Sequence, residues 1–405
     1  MDSAFFEATA TMSTIPRHVT LPSGWEAEVF QTWDIPAEVV DQWRTLVSHQ
    51  GDLAIFLGYD WLRNWWSSFG GTDTLLVIVL KENGDIRAIF PLRISSRPKA
   101  GNGKPLVASL TNDHSCHYDF LIQPNAQELA LANFISLLPQ VAKNADVILE
   151  HLKLSGSNWS VFLRHLRRHA FPVYIENYAW GPWLSVSGDI FQTYEKLSGH
   201  FKSNLRRYRK KAEAKGKLRI EVIKCSDNLD NLLDILFEIE YRSWKGREGT
   251  AIRCSAETEH FYRRVGNWAM KERYLLLFVL WLTDIPIAAS FCLQSGKTVF
   301  QLKVGYDESF APLAPGKILH QDIVNYLLSC PDVQIYNFLG PCDQWKMEWT
   351  SNSEEIGAIK IYPASFRGWS RYAAEHGWKD LLKQSATVRQ IKACVDRKRE
   401  SKRAR

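Results

Sequence analysis

Apolar positions recur along the chain with two periods, and the switches between them mark out the elements. PAEVVDQWRTLVSH (36–49) and the Trp-rich YDWLRNWWSSFG (59–70) repeat at helical spacing. TLLVIVL and IRAIFPLRIS are strand-type runs around KENGD, and Asn83-Gly84 accept the positive φ that a tight turn needs, so this is a β-hairpin. Beyond the loop SRPKAGNGKP (96–105) come the strand approach NDHSCHYDFLI, a helix near 126–143, the strand DVILEHL, a helix near 157–169 and the strand FPVYIE. The second half repeats the plan. Two helices, 199–215 and about 229–245, lead into a meander of YLLLFVLWL, IAASFCL and TVFQLKV, joined by TDIP and QSGK. Gly216 is the expected stop of the first of these helices. A helix opening at Gly316-Lys317, the strand VQIYNFLG and the late strand EIGAIKIY follow. The expected fold is α/β (α+β), with two similar units in tandem and a seam near 180–190. The expected boundaries are a loose leader 1–20, an N-terminal domain 21–185, a C-terminal domain 186–385 and a basic tail 386–405.

Composition narrows the classes. Hydrophobic residues at 45% and charged residues at 23% are ample for real cores. The net charge, 50 − 44 = +6, is unevenly spread: 201–217 has eight basic residues against Glu213, and 396–405 has six against two acidic ones. Such local excess points to local anion contacts rather than general nucleic-acid binding. The seven cysteines show no CxxC spacing, which fits free thiols in a reducing compartment and no structural zinc. The start MDSAFFEATATMST lacks a signal-peptide pattern, and LLLFVLWL is too short to span a bilayer, so a cytoplasmic, metal-free protein is expected.

Several residues have the character that chemistry requires. The stretch from Gln301 to Trp349 runs strand, loop, helix, strand, with Gly316 at the helix start. Unpaired N–H groups there can hold an anion such as a pyrophosphate, and Lys317 adds charge; an ordinary βαβ unit has the same spacing. On the helix DNLLDILFEIEYRSWKG, Leu233, Phe237, Glu240 and Trp244 share a stripe, whereas Glu238 projects elsewhere. Glu240 is therefore either a desolvated general base or a boundary carboxylate paired with an Arg of the next loop. NDHSCHYDF offers His117 with Asp119 as an acid–base pair, or as a strand-edge structure, and Cys116 as a nucleophile only if a base is held beside it. The basic helix is a solvated face or a phosphate contact.

WLRNWW, HYDFLI, FKSNLRRYRKKAEAKG, EIEYRSWKGREGTAI, KVGYDESFAPLAPGKIL and YNFLGPCDQWKMEW, in this order over roughly residues 50–370, resemble the GNAT-type acyltransferases of the CelD/BcsL group. That group is linked with cellulose and exopolysaccharide clusters and is distantly similar to the FemA/FemX aminoacyltransferases. The resemblance implies two tandem GNAT-like domains, each a mixed, largely antiparallel sheet flanked by helices. It implies transfer of an acyl group from acyl-CoA, acetyl-CoA first, to an amine or hydroxyl of a small molecule or glycan precursor, amine acylation being preferred. Lys303, Tyr306, Pro315, Gly316 and Lys317 then bind the cofactor, Lys346 stabilises the oxyanion, and Glu240, or His117 with Asp119, takes the proton. Two departures stand out: FAPLAPGK has one glycine where the common phosphate loop has several, and Trp345 replaces the usual Tyr before the Lys. Two alternatives remain. One is a FemX-like transferase using aminoacyl-tRNA gripped by helix 201–217; the other is a non-catalytic module of polysaccharide synthesis.

Overall fold

The computed structural model describes residues 18–95, 106–142, 145–188 and 190–377. The expected basic tail, residues 1–17 of the expected leader and the loop 96–105 lie outside the described residues. The first half holds β1 (His18–Thr20), β2 (Glu26–Phe30), β3 (Thr74–Glu82), β4 (Asp85–Ser95), β5 (Leu106–Ser109), β6 (Leu121–Ile122), β7 (Asp146–Lys153) and β8 (Val173–Ser185). The second holds β9 (Leu218–Ile223), β10 (Leu275–Leu282), β11 (Ile285–Ser295), β12 (Thr298–Tyr306), β13 (Ile335–Asn337) and β14 (Ser353–Ile361). The hairpin turn between β3 and β4 has Asn83 at φ 54° and Gly84 at φ 86°, as its sequence requires. β1 falls within the stretch read as a leader and pairs with β2 from His18↔Glu28 to Thr20↔Glu26.

The helices Ala37–Ser48, Tyr59–Phe69, Gln127–Ala142, Ser157–Arg168, Gly199–Glu213, Leu229–Tyr241 and Pro315–Leu328 form where the 3.6-residue period places them. The long helix Ala256–Lys271 was not anticipated, because charged residues interrupt its buried stripe of Phe261, Tyr262, Val265 and Ala269. Gly216 does not end the basic helix; the C-cap is Ala214, and Gly216 lets the chain pass close to Thr283.

All the strands join one sheet of 14, in the order β1-β2-β3-β4-β5-β7-β14-β8-β13-β12-β11-β10-β9, with β6 on β4. It is mostly antiparallel. The parallel pairs are β5 with β7, flanking helix Gln127–Ala142 in sequence, and β12 with β13, flanking helix Pro315–Leu328. This is the repeated plan expected from the sequence. At the centre the halves exchange strands: β14 lies between β7 and β8, and β8 also pairs with β13.

β10 is buried on both faces, so its run LLLFVLWL is continuously apolar rather than alternating. Leu275, Leu277 and Val279 face the core shared with the first half and with helices Leu229–Tyr241 and Ala256–Lys271. Leu276, Phe278 and Leu280 face a second core under helices Gly199–Glu213 and Pro315–Leu328. The halves are also tied by Asp52, whose carboxylate accepts from the Lys297 N–H (3.1 Å) and Thr298 Oγ1 (2.7 Å). Trp61 meets Phe261 edge-on at 5.4 Å.

Candidate active site

The parallel pairing of β12 with β13 lasts for three residues, Thr298–Phe300 against Ile335–Asn337. Beyond it each strand follows its outer neighbour. β12 stays on β11 as far as Ala288↔Tyr306, whereas the Phe338 N–H still donates to Pro182 O at the end of β8. A wedge opens between them, and a cavity of about 530 Å³ fills it, walled by Gln301–Tyr306 on one side and Phe338–Gly340 on the other.

A bulge makes the wedge two-sided. Phe291 pairs with Lys303 and Cys292 with Gln301, so Leu302 is the extra residue on β12. Before the bulge, Val299 faces the second core; after it, Val304 and Tyr306 do. Lys303 is displaced to the opposite face, where its ammonium stands 5.4 Å from the centre of the Tyr262 ring. Gly305 lies on that face too, so close to Glu240 that an added Cβ would come within 2.9 Å of its Cα.

One mouth of the cavity is formed by the start of helix Pro315–Leu328. Ala314 caps it in the left-handed region (φ 53°), Pro315 occupies the first turn, and Gly316 lets the Tyr306 ring approach to 3.3 Å of where a Cβ would sit. Lys317 lies at this mouth, but its ammonium is held by both oxygens of Glu348 (2.7 and 2.9 Å). The other mouth, on the far face, is lined by Lys303, Lys245, Asp113 and Cys116, the last two from the first half.

Residues 199–347 match the family model of the acetyltransferase (GNAT) domain. The match covers both walls of the cavity. Among solved structures, FemX aligns over 83% of this chain and 98% of its own, with TM-score 0.57 and 12% identity. A conserved protein of unknown function from Bacteroides thetaiotaomicron aligns over 82% and 98%, with TM-score 0.52 and 11% identity. At such identities the likeness shows the fold alone. A comparison with curated protein sequences gives no match. The architecture is a mixed α/β fold with a large, mostly antiparallel sheet flanked by helices, and its residues 199–347 match a GNAT domain.

Within this fold the expected site residues scatter. Lys303, Tyr306, Gly316, Lys317 and Lys346 line the cavity, and Pro315 is buried at the helix start beside it. Glu240 does not line it. The helical stripe buries Glu240 to 1% exposure, where Oε1 accepts from Lys245 Nζ (2.7 Å) and Oε2 from the Ile252 N–H (2.9 Å). Its partner is thus a lysine, not the arginine considered from sequence, and Lys245 is the residue facing the cavity. Ser243 places that lysine: its side chain accepts from the Lys245 N–H and its hydroxyl donates to Glu240 O (2.6 Å), stopping one helix and starting the next.

Lys346 lies 6% exposed, and its ammonium contacts Leu339 O (2.9 Å), Pro341 O (2.8 Å) and Asp343 (3.0 Å). These three contacts match its three hydrogens and pin a turn in which Leu339 (φ 50°) and Gly340 (φ 60°) are both left-handed. His117 and Asp119 lie outside the cavity lining. His117 is buried beneath Phe56, and burial lowers its pKa to about 3. Asp119 accepts from Asn158 (2.8 Å) and the Phe120 N–H (2.7 Å), while burial raises it to about 6. Their segment does reach the cavity, but through Asp113 and Cys116, and burial pushes the Cys116 thiol up to about 11, away from nucleophilic readiness.

Sequence reasoning missed Gln301 and His320. His320 is 4% exposed; its Nδ1–H donates to Gly316 O (2.8 Å), leaving Nε2 to accept from the Gln301 amide (2.9 Å). That amide nitrogen also lies 2.6 Å from the Tyr336 hydroxyl on β13. Gln301 follows the last paired residue of β12, so this network ties both strands and the helix start at the apex of the wedge. Its only trace in sequence is a polar residue within each apolar stripe. Among the described residues no group of His, Cys, Asp or Glu is placed to hold a metal ion, and no helix is long and apolar enough to cross a membrane.

Proposed function

We propose that the cavity binds an acyl-CoA, acetyl-CoA first, and passes the acyl group to an amine or hydroxyl of a small molecule or glycan precursor. The observation that carries this reading is the wedge between β12 and β13 with a helix start at one mouth. An extended pantetheine fits between diverging strands, where backbone groups lack a partner strand, and the helix N-terminus favours the pyrophosphate. The acceptor enters from the opposite mouth, between the two halves.

In this reading Asp113 replaces Glu240, His117 and Asp119 as the group nearest the acceptor. The carboxylates of Asp343 and Glu348 are engaged by Lys346 and Lys317, whereas Asp113 has no ion pair among the described residues. A neutral acceptor amine attacks the thioester carbonyl, its proton passes to Asp113 as the C–N bond forms, and the CoA thiolate leaves and is protonated by solvent. Glu240 acts through Lys245, holding its ammonium against the cavity. Lys346 keeps the turn at Leu339–Gly340 in shape. The setting in polysaccharide synthesis rests on the sequence motifs.

A second reading is favoured by one observation. The helix Gly199–Glu213 flanks the donor mouth: Lys317 sits over the Phe201 ring (5.4 Å) and Lys211 donates to Pro312 O (2.9 Å), while Arg206, Arg207 and Lys210 remain exposed. That exposed row suits a longer polyanion, such as an aminoacyl-tRNA. Calorimetric titration with acetyl-CoA and with a charged tRNA separates the two. Binding of acetyl-CoA that is lost when bulky residues fill the wedge (Gly316→Trp) supports the first; binding of tRNA without acetyl-CoA replaces it with the second.

A further inference from the structure

The charges of the cavity cancel in pairs, with two exceptions. Lys245 is matched by Glu240, Lys317 by Glu348 and Lys346 by Asp343. Lys303 has no hydrogen bond or ion pair to its ammonium among the described residues; its contact is the face of the Tyr262 ring at 5.4 Å. Asp113 is the other exception. Both line the cavity, and they do not form an ion pair with each other, although Glu240 and, more weakly, Asp113 favour the charged form of Lys303. A partly desolvated lysine against an aromatic wall, whose strongest carboxylate influence, Glu240, is already bonded to Lys245, costs stability, so its retention in a cavity calls for an anion that arrives with a ligand. The β12 bulge is what aims Lys303 at the far mouth rather than at the helix start, which separates it from the donor's phosphates.

We infer that the acceptor carries a carboxylate as well as an amine, the carboxylate binding Lys303 and the amine Asp113, as in a free amino acid or the end of a peptide. This rests on the acyltransferase reading and specifies its acceptor. Two opposite charges in one cavity are complementary to a zwitterion, whose ammonium gives one proton to solvent before the neutral amine attacks, and neither a simple amine nor a neutral sugar hydroxyl satisfies both. Burial lowers the Lys303 pKa; an incoming carboxylate opposes that shift.

The test uses the full chain and pairs of compounds that differ by a carboxylate. L-alanine is compared with ethylamine, and 4-aminobutyrate with butylamine, in acetyl transfer from acetyl-CoA and in calorimetric binding without donor. Succinyl-CoA against butyryl-CoA forms the donor pair. The expected result is a preference for an amino acid over its amine on the order of 30-fold, the scale for a desolvated charge pair. Lys303→Met abolishes the preference and Lys303→Arg restores part of it, with melting curves confirming that both variants fold. Equal response to both members of every acceptor pair overturns the inference, as does a preference that survives Lys303→Met. A preference confined to the donor pair also overturns it, since the carboxylate then belongs to the acyl group. Acetyl-CoA binding in the same preparation is read separately. Its absence removes the donor reading, while amino-acid binding alone still decides the role of Lys303.

Discussion

At the scale of single residues, burial and partners separate chemistry from scaffolding. Asp113 and Glu240 are both carboxylates close to the proposed reaction, but one faces the cavity and the other has both oxygens occupied. Asp113→Asn keeps the shape and removes the proton acceptor, so kcat is expected to fall by about 10²-fold or more with little change in melting temperature. Glu240→Gln breaks a buried ion pair and is expected to cost about 3 kcal/mol of stability, read from denaturant unfolding. An unchanged unfolding midpoint would show that Lys245 finds another partner. The buried histidines set an acid limit. Burial lowers His117 to about 3 and both His114 and His320 to about 4, against an unfolded value near 6.5. The unfolded chain therefore binds protons that the folded chain refuses. Their contribution is complete above pH 6.5 and drains away as pH falls towards 4, so the melting temperature should drop through that window. His117→Gln should flatten the drop; a slope identical to wild type would exclude His117 as a source.

At the scale of elements, the start of helix Pro315–Leu328 and the bulged strand β12 do most to shape the site. Lys317 adds its charge beside that start but shares it with Glu348, so Lys317→Ala is expected to weaken acetyl-CoA binding by about two- to fivefold, less in high salt. Equal affinity at low salt would leave the phosphate to the helix backbone alone. Gly305 is where β12 meets helix Leu229–Tyr241 at backbone contact. Gly305→Ala pushes that helix outward, moving Lys245 with it. Loss of acceptor-dependent activity with acetyl-CoA binding intact is the expected signature, measured by pairing kinetics with calorimetry. Weakened donor binding instead would mean that the wedge itself has closed.

At the scale of the molecule, the sheet passes through the middle of the chain without a break. β14, at the end of the second half, completes the first half by pairing with β7, and β8 returns the exchange by pairing with β13. Residues 18–185 and 186–377 expressed separately should each be insoluble or poorly folded, because each would expose a long central strand edge. Mixing them during refolding should recover the circular-dichroism spectrum of the whole. A soluble, cooperatively melting half on its own would show that the exchanged strands are dispensable. The far mouth of the cavity depends on the same assembly, since Asp113 and Cys116 come from the first half while Lys245 and Lys303 come from the second.

The sequence by itself determined most of the helices, the hairpin at Asn83-Gly84, the repeated meander–helix–strand plan and the burial of Glu240, because these depend on local period, turn chemistry and one helical stripe. It also located the helix start at Pro315-Gly316. Only the tertiary structure decided which polar groups meet. The bulge at Leu302 reverses the facing of Lys303, a shift that no alternation in KVGY discloses, and β14 crosses to β7 although some 200 residues separate them. Lys245 taking the Glu240 carboxylate, Lys346 turning to backbone carbonyls and His320 meeting Gln301 are likewise settled by packing. A polar side chain removed from water bonds to whatever the fold brings within reach, and the chain's local pattern does not specify that neighbour.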